Sequence, residues 1–158
     1  MPERILSFRE LRIYHLAFEV QQEIFEVTRR FPTEERYALT DQIRRASRSM
    51  GANVSEAWQK RRYLGHFIIK LTDADDEQAE SQHWLATAAA CNYLSREKPD
   101  LLIDKCRRIG RMLGTMMGNP EKWRLATGEA ELRASIASSP YAAGELVRCP
   151  SSVIGRPK

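Results

Sequence analysis

The chain is poor in the residues that build covalent or metal-held frameworks. Its three cysteines, Cys91, Cys106 and Cys149, are odd in number, and none stands in a Cys-x-x-Cys pair. That argues against a zinc site or a disulfide framework and suits a reducing cytoplasm. Histidine is as scarce, with three in 158 residues. A di-iron helical bundle needs two Glu-x-x-His pairs. Glu80-x-x-His83 is one, but Arg12 and Tyr63 stand three residues before His15 and His66. We therefore expect no metal and no cofactor. Long apolar runs are also missing. The uncharged stretch Ser81 to Ser95 is too short and too polar to span a bilayer, so no membrane partner is expected. The start, Met-Pro-Glu-Arg-Ile-Leu-Ser-Phe-Arg-Glu, has no apolar segment of the secretory kind. No nucleophile stands with a base in a recognisable motif, so no catalytic residue is assigned and no enzyme is expected.

What is present describes a soluble helical protein. Hydrophobic residues make up 42% and charged residues 29% of the chain, which places it among globular rather than disordered sequences. The length allows one domain with a real core. The net charge of +4 leans only mildly towards a polyanionic partner.

Apolar residues recur at helical spacing through most of the chain. Ser7-Phe8-Arg9-Glu10 fits a capping box, so a first helix should start here. Leu11, Tyr14, Ala17, Phe18, Ile24 and Thr28 keep its apolar face, and Phe31-Pro32 stops it near Arg30. A second helix is expected from about Leu39 to Lys60, with Leu39, Ile43, Ala46, Met50, Asn53 and Ala57 as its seam. Gly51, inside it, costs about 1 kcal/mol relative to alanine, which suggests the close approach of a neighbour. A third helix, roughly Leu64 to Leu94, repeats Leu64, Phe67, Leu71, Ala74, Gln78, Ser81, Leu85 and Ala88. A fourth begins near Pro99, carries Leu102, Cys106, Ile109, Leu113 and Met116, and ends at Gly118-Asn119-Pro120. Gly110, Gly114 and Gly118 share a face of it, which suits close packing or a subunit contact. Trp58, Trp84 and Trp123 read as core or interface anchors. The fold class is all-α: an antiparallel up-down-up-down four-helix bundle over residues 1–123. Residues 124–158 lose the periodicity and read as a poorly ordered, flexible tail with a helical turn near Glu129 to Ile136.

Charge is concentrated around the second helix. Between residues 29 and 62 stand nine basic side chains and four acidic ones. Arg44, Arg45 and Arg48 lie off the apolar seam, and Lys60, Arg61 and Arg62 would extend their track. Arginine forks suit phosphate oxygens, so this face is a candidate for nucleic acid, RNA or DNA. The same arginines have a plainer use. Asp41 can reach Arg44 or Arg45 one turn away. The acidic run Asp73, Asp75, Asp76, Glu77 and Glu80 could also meet them within or between subunits, leaving a scaffold or protein-interaction module. Asn53 on the seam needs hydrogen-bond partners and would set helix register; Glu56, one turn on, could accept from an arginine on the same or a neighbouring helix.

The run Phe31-Pro32…Tyr37-x-Leu39…Gln42-Ile43-Arg44-Arg45-Ala46…Ser49…Asn53-Val54-Ser55-Glu56 resembles the family named for the 23S ribosomal RNA intervening sequence. In the family's usual motif Ile and Ala stand where Val54 and Ser55 are, and Gly where Ala57 is. Phe67…Ala74…Glu80 fits a further stretch, with Asp76 and Glu77 in place of a Gly-Ser pair, and Tyr93-Leu94 fits the end of the third helix. The resemblance covers about residues 8–118. It implies a bacterial, left-turning antiparallel four-helix bundle that assembles as a homopentamer, with no established enzymatic activity. The fold is similar to that of accessory proteins of diversity-generating retroelements, which bind nucleic acid as pentamers. A ribosomal role does not follow from membership, since genes of this family also occur outside ribosomal RNA.

Overall fold

Ser7 does accept a hydrogen bond from the Arg9 amide, but it starts only a single 3-10 turn, Phe8–Glu10. The Glu10 carboxylate reaches back to the Leu6 amide at 3.1 Å, one residue beyond the partner a capping box would use. The first α-helix, α1, follows at Arg12–Thr28. The computed structural model describes residues 5–125. Apart from Arg124 and Leu125, the expected C-terminal tail and its helical turn lie outside the described residues.

Three longer helices follow: α2 at Leu39–Lys60, α3 at Leu64–Ala90 and α4 at Lys98–Gly118. Short connections reverse the chain between them, so successive helices run antiparallel. Each helix packs on the two beside it, α1 on α2 and α4, and α3 on α2 and α4. The result is an all-α up-down-up-down bundle.

Its centre is filled by the apolar seams. Phe67, Leu71, Ala74 and Leu85 of α3 meet Leu102, Cys106, Ile109 and Leu113 of α4, all fully buried. From α1 come Ile13, Leu16, Ala17, Val20 and Ile24. The seam of α1 is thus rotated from the expected one. Tyr14 and Phe18 sit at its edge, half-buried, with Phe8 edge-on to Tyr14 at 4.9 Å. On α2, Ile43, Ala46, Met50, Val54 and Ala57 are buried while Asn53 is half-exposed. Val54 therefore holds the core position expected for the amide. At Gly51 an added Cβ would stand 3.7 Å from the Tyr14 ring and 3.9 Å from Ala17, so α1 does approach there, at ordinary contact distance. Of the three glycines on α4, only Gly110 faces a neighbour, the Gln78 amide; Gly114 and Gly118 look into open space.

α3 ends four residues before its expected limit. Asn92 takes up the left-handed region, with φ 59. Its amide donates to the Ala89 carbonyl and the Tyr93 amide to the Ala88 carbonyl, both near 3 Å. This pair of bonds satisfies carbonyls the helix end would otherwise orphan. Asparagine tolerates that conformation better than most residues. Tyr93 is thereby turned onto Phe31, 5.5 Å between rings, and its hydroxyl donates to Glu35 at 3.1 Å. The other oxygen of Glu35 accepts from the Leu39 amide at 3.3 Å and so caps α2, whose own N-cap residue, Ala38, has no side chain that could. Phe31, Leu39 and Ala88 form a second small core beneath this corner. The connection from α1 to α2 is thus pinned from both sides.

Candidate functional site

Neighbouring residues on a helix point about 100° apart, so Arg44 and Arg45 cannot share a direction. Arg44 turns to α1. Its Nε donates to Thr28 Oγ1 at 2.8 Å, and its guanidinium lies 4.8 Å from the centre of the Phe25 ring. Arg48, one turn along and exposed, stands 5.8 Å from the same ring. Arg45 is exposed on the side towards α3. There it acts on Glu77. Burial raises the Glu77 pKa and the Glu80 charge adds to that, while Arg45 works in the opposite direction.

Arg44 sits among like charges. Burial lowers its pKa from the ordinary value, and the charges of Arg48 and Arg29 lower it further. A guanidinium remains protonated under such pressure. Among the described residues none of Arg44, Arg45 and Arg48 is in an ion pair, and the expected pairing with Asp41 is not formed. On the α1–α2 face, Arg44 and Arg48 therefore carry positive charge that no carboxylate in contact neutralises.

The far end of α2 is arranged differently. Lys60 and Arg62 are exposed, about 24 Å along the helix from Arg44. Arg61 between them is only 7% exposed. Its guanidinium lies 3.8 Å over the Trp58 ring and donates to the Trp58 carbonyl, satisfying a free carbonyl of the last turn. This corrects the expectation of one continuous basic track. Arg61 closes a helix end, and the two basic groups are separate.

Asn53 and Glu56 meet one partner, and it is a lysine rather than an arginine. Lys70 on α3 lies 2.9 Å from Glu56, 3.0 Å from Asp73 and 3.4 Å from the Asn53 side-chain oxygen. Hydrogen bonds that Lys70 donates to Glu56 and then Asp73 raise its pKa. The cluster locks α2 to α3 at the surface. Asp76 and Glu80 are exposed and Glu77 half-buried, and the Glu80 carboxylate accepts from the Trp84 indole at 2.9 Å. His83 stacks edge-on against Trp84. Among the described residues no group of three His, Cys, Asp or Glu side chains is placed to hold a metal ion. Nor is any helix among them long and apolar enough to cross a membrane.

The sequence profile of the family described as 23S rRNA-intervening sequence protein matches residues 9–115. The chain belongs to this family. The match takes in all of α1, α2 and α3 and most of α4, so the arginine-bearing face lies wholly inside the family region. A crystal structure of a protein of unknown function from the S23 ribosomal protein family, from Bacteroides thetaiotaomicron VPI-5482, has the same fold. It is 25% identical, with a TM-score of 0.61, over 67% of this chain and 95% of that one. No curated protein shows significant similarity to this chain.

Two features of the face were not read from the sequence. Phe25 lies off the apolar seam and carries no pattern of its own. Thr28 reads from its spacing as part of that apolar face, whereas its hydroxyl donates to the Phe25 carbonyl at 3.0 Å and accepts from Arg44. The signal that could have found them is an arginine at helix–helix contact distance from an aromatic ring, which requires knowing which helices are neighbours.

Proposed function

We propose that this protein is a non-enzymatic, oligomeric helical bundle that binds nucleic acid, RNA in the first instance, through the arginine-bearing face of α2. The carrying observation is that Arg44, Arg45 and Arg48 make no ion pair among the described residues, although the charge of Arg45 does work on Glu77. Three guanidiniums with no carboxylate in contact attract an anion, and a phosphodiester backbone offers evenly spaced ones. Arg44 is also held in place by Thr28 and Phe25, so little side-chain freedom is lost when it binds. Recognition would rest on backbone charge. A homopentamer would repeat the face five times and raise a modest attraction per subunit. The family's name, 23S rRNA-intervening sequence protein, points the same way. Lys60 and Arg62 form a second basic group rather than an extension of the first.

A scaffold role is the second reading. It is favoured by the proximity of Arg45 to Glu77 and by the exposed carboxylates of Asp76 and Glu80, which could pair with the basic face of another subunit.

The test is fluorescence anisotropy with a labelled structured RNA and a matched DNA at two salt concentrations. Arg45→Gln and Arg48→Gln are suitable variants, because both side chains are exposed. Together they should weaken binding and flatten the slope of log K against log salt by roughly 1.5, the loss of about two phosphate contacts. An unchanged affinity and slope would remove these arginines from the interface. No binding at low salt would favour the scaffold.

A further inference from the structure

Where α1 ends and the chain turns into α2, the surface holds a recess of about 320 Å³. Three arginines reach it from three pieces of chain: Arg29 just past the end of α1, Arg36 from the connection, and Arg44 from the second turn of α2. Thr28, Thr33 and Thr40 stand between them. Among the described residues no Asp or Glu lines the recess. Arg29 does reach Glu26, but at 3.4 Å with both side chains more than half exposed, a pair that neutralises little. Arg36 is exposed and makes no ion pair among the described residues.

Side-chain contacts hold the walls on both sides. Arg44 is oriented by Thr28 and Phe25 on one side. On the other, Phe31 is buried against Tyr93, and Glu35 ties the connection to both α2 and the end of α3. Converging guanidiniums in this recess, with the Thr33 and Thr40 hydroxyls beside them and Thr28 committed to holding Arg44, fit a tetrahedral oxyanion carrying several acceptor oxygens. The size lies at the lower end of the range for ligand sites, room for a phosphate with an attached sugar.

We propose that this recess is a phosphate-binding site in which Arg36 and Arg44 grip the oxygens of one phosphate group and Arg29 adds charge from the rim. The site stands on this geometry; its assignment to a phosphodiester of RNA rests on the function proposed above. The alternative source of the same chemistry is a free phosphorylated small molecule.

The experiment uses the full chain, its Arg36→Gln variant and its Arg44→Lys variant. Arg36 is exposed and outside the core, so Arg36→Gln should fold as the parent does. Arg44→Lys keeps the charge but loses the planar fork and its bond to Thr28. Inorganic phosphate is titrated while the arginine side-chain resonances are followed by NMR, and a labelled RNA is titrated in parallel by anisotropy. Saturable phosphate shifts that weaken about tenfold in both variants, with RNA affinity falling alongside, would support the site and its occupant. Phosphate binding that weakens in the variants while RNA binds unchanged, or not at all, would support the site and make a free phosphorylated molecule its ligand. No saturable phosphate binding, or binding indifferent to both variants, would overturn the site whatever the RNA does.

Discussion

At Ser81 a hydroxyl lies in the core with no exposed surface and, among the described residues, no partner for its oxygen. A buried polar atom without a hydrogen bond costs about 1–3 kcal/mol relative to a satisfied one. Ser81→Ala removes that atom and leaves a space no larger than the hydroxyl. It should raise the stability by up to about 1 kcal/mol, read as a higher urea midpoint with unchanged slope. Glu23 shows the opposite balance. Burial alone would raise its pKa, but hydrogen bonds from Lys105 and Lys98 outweigh that and hold it below the ordinary carboxylate value. Lys98 approaches to 2.6 Å, and Lys105 is shared with Glu19, also at 2.6 Å. A depressed carboxylate contributes stability that is present above its unfolded pKa and lost as the pH falls through the folded one. Glu23→Gln should therefore be less stable than the parent by about 1 kcal/mol near neutrality. The gap should close as the pH drops below about 4, which thermal melts across that range would record. A gap that does not shrink at all as the pH falls through the acid range would mean packing, not charge, holds α1 to α4 here.

The glycines separate propensity from packing at the scale of the helix. Glycine inside a helix costs about 1 kcal/mol relative to alanine. Gly51 has ordinary contact room for a Cβ, and Gly114 faces open space. Alanine at either position should stabilise the bundle by roughly 0.5–1 kcal/mol. At Gly110 an added Cβ would stand 3.0 Å from the Gln78 amide nitrogen and 3.2 Å from an Asp75 carboxylate oxygen. Gln78 is itself tied to Asp75 at 3.0 Å and to Gln82 at 2.6 Å, so it has little freedom to yield. Gly110→Ala should gain nothing and should rank below the other two by about 1 kcal/mol in denaturant melts. Equal gains at all three positions would show that the α3–α4 contact is softer than its distances imply.

The whole molecule shows several large apolar side chains to the outside. Tyr37 is 87% exposed, and Tyr63, Ile69 and Leu101 are more than half exposed. They are scattered over the connections, α3 and α4, with Tyr37 next in the chain to Arg36 of the recess. An oligomer would cover them. Sedimentation equilibrium should then give a particle about five times the 18.2 kDa of one chain, and nucleic-acid affinity should fall when dilution dissociates it. A monomer at all concentrations would remove avidity from the proposed function and leave the single-subunit phosphate site to be judged alone.

Helical periodicity is local information, and here it carried far. The buried seams of α3 and α4 are the residues their spacing names, Phe67 to Ala88 and Leu102 to Met116, with Leu64 at the start of α3 only half-buried, and the boundaries of α2 follow from it too. The second-helix motif was enough to indicate the family. Spacing could not tell Phe18 from Val20 or Asn53 from Val54 at a seam's edge, because a rotation of part of a turn leaves the pattern nearly unchanged. The direction of each arginine was less legible still. Arg44, Arg45 and Arg61 look equivalent as off-seam cations. One braces on Phe25 and Thr28, one faces Glu77, and one folds back over Trp58. The convergence of Arg29, Arg36 and Arg44 depends on the path of a short connection pinned by Glu35, Phe31 and Tyr93, with Tyr93 58 residues from Glu35 in the chain. A single helix determines which of its faces is apolar. Only the packed bundle determines what stands opposite each polar side chain, and a cation's role depends on that neighbour.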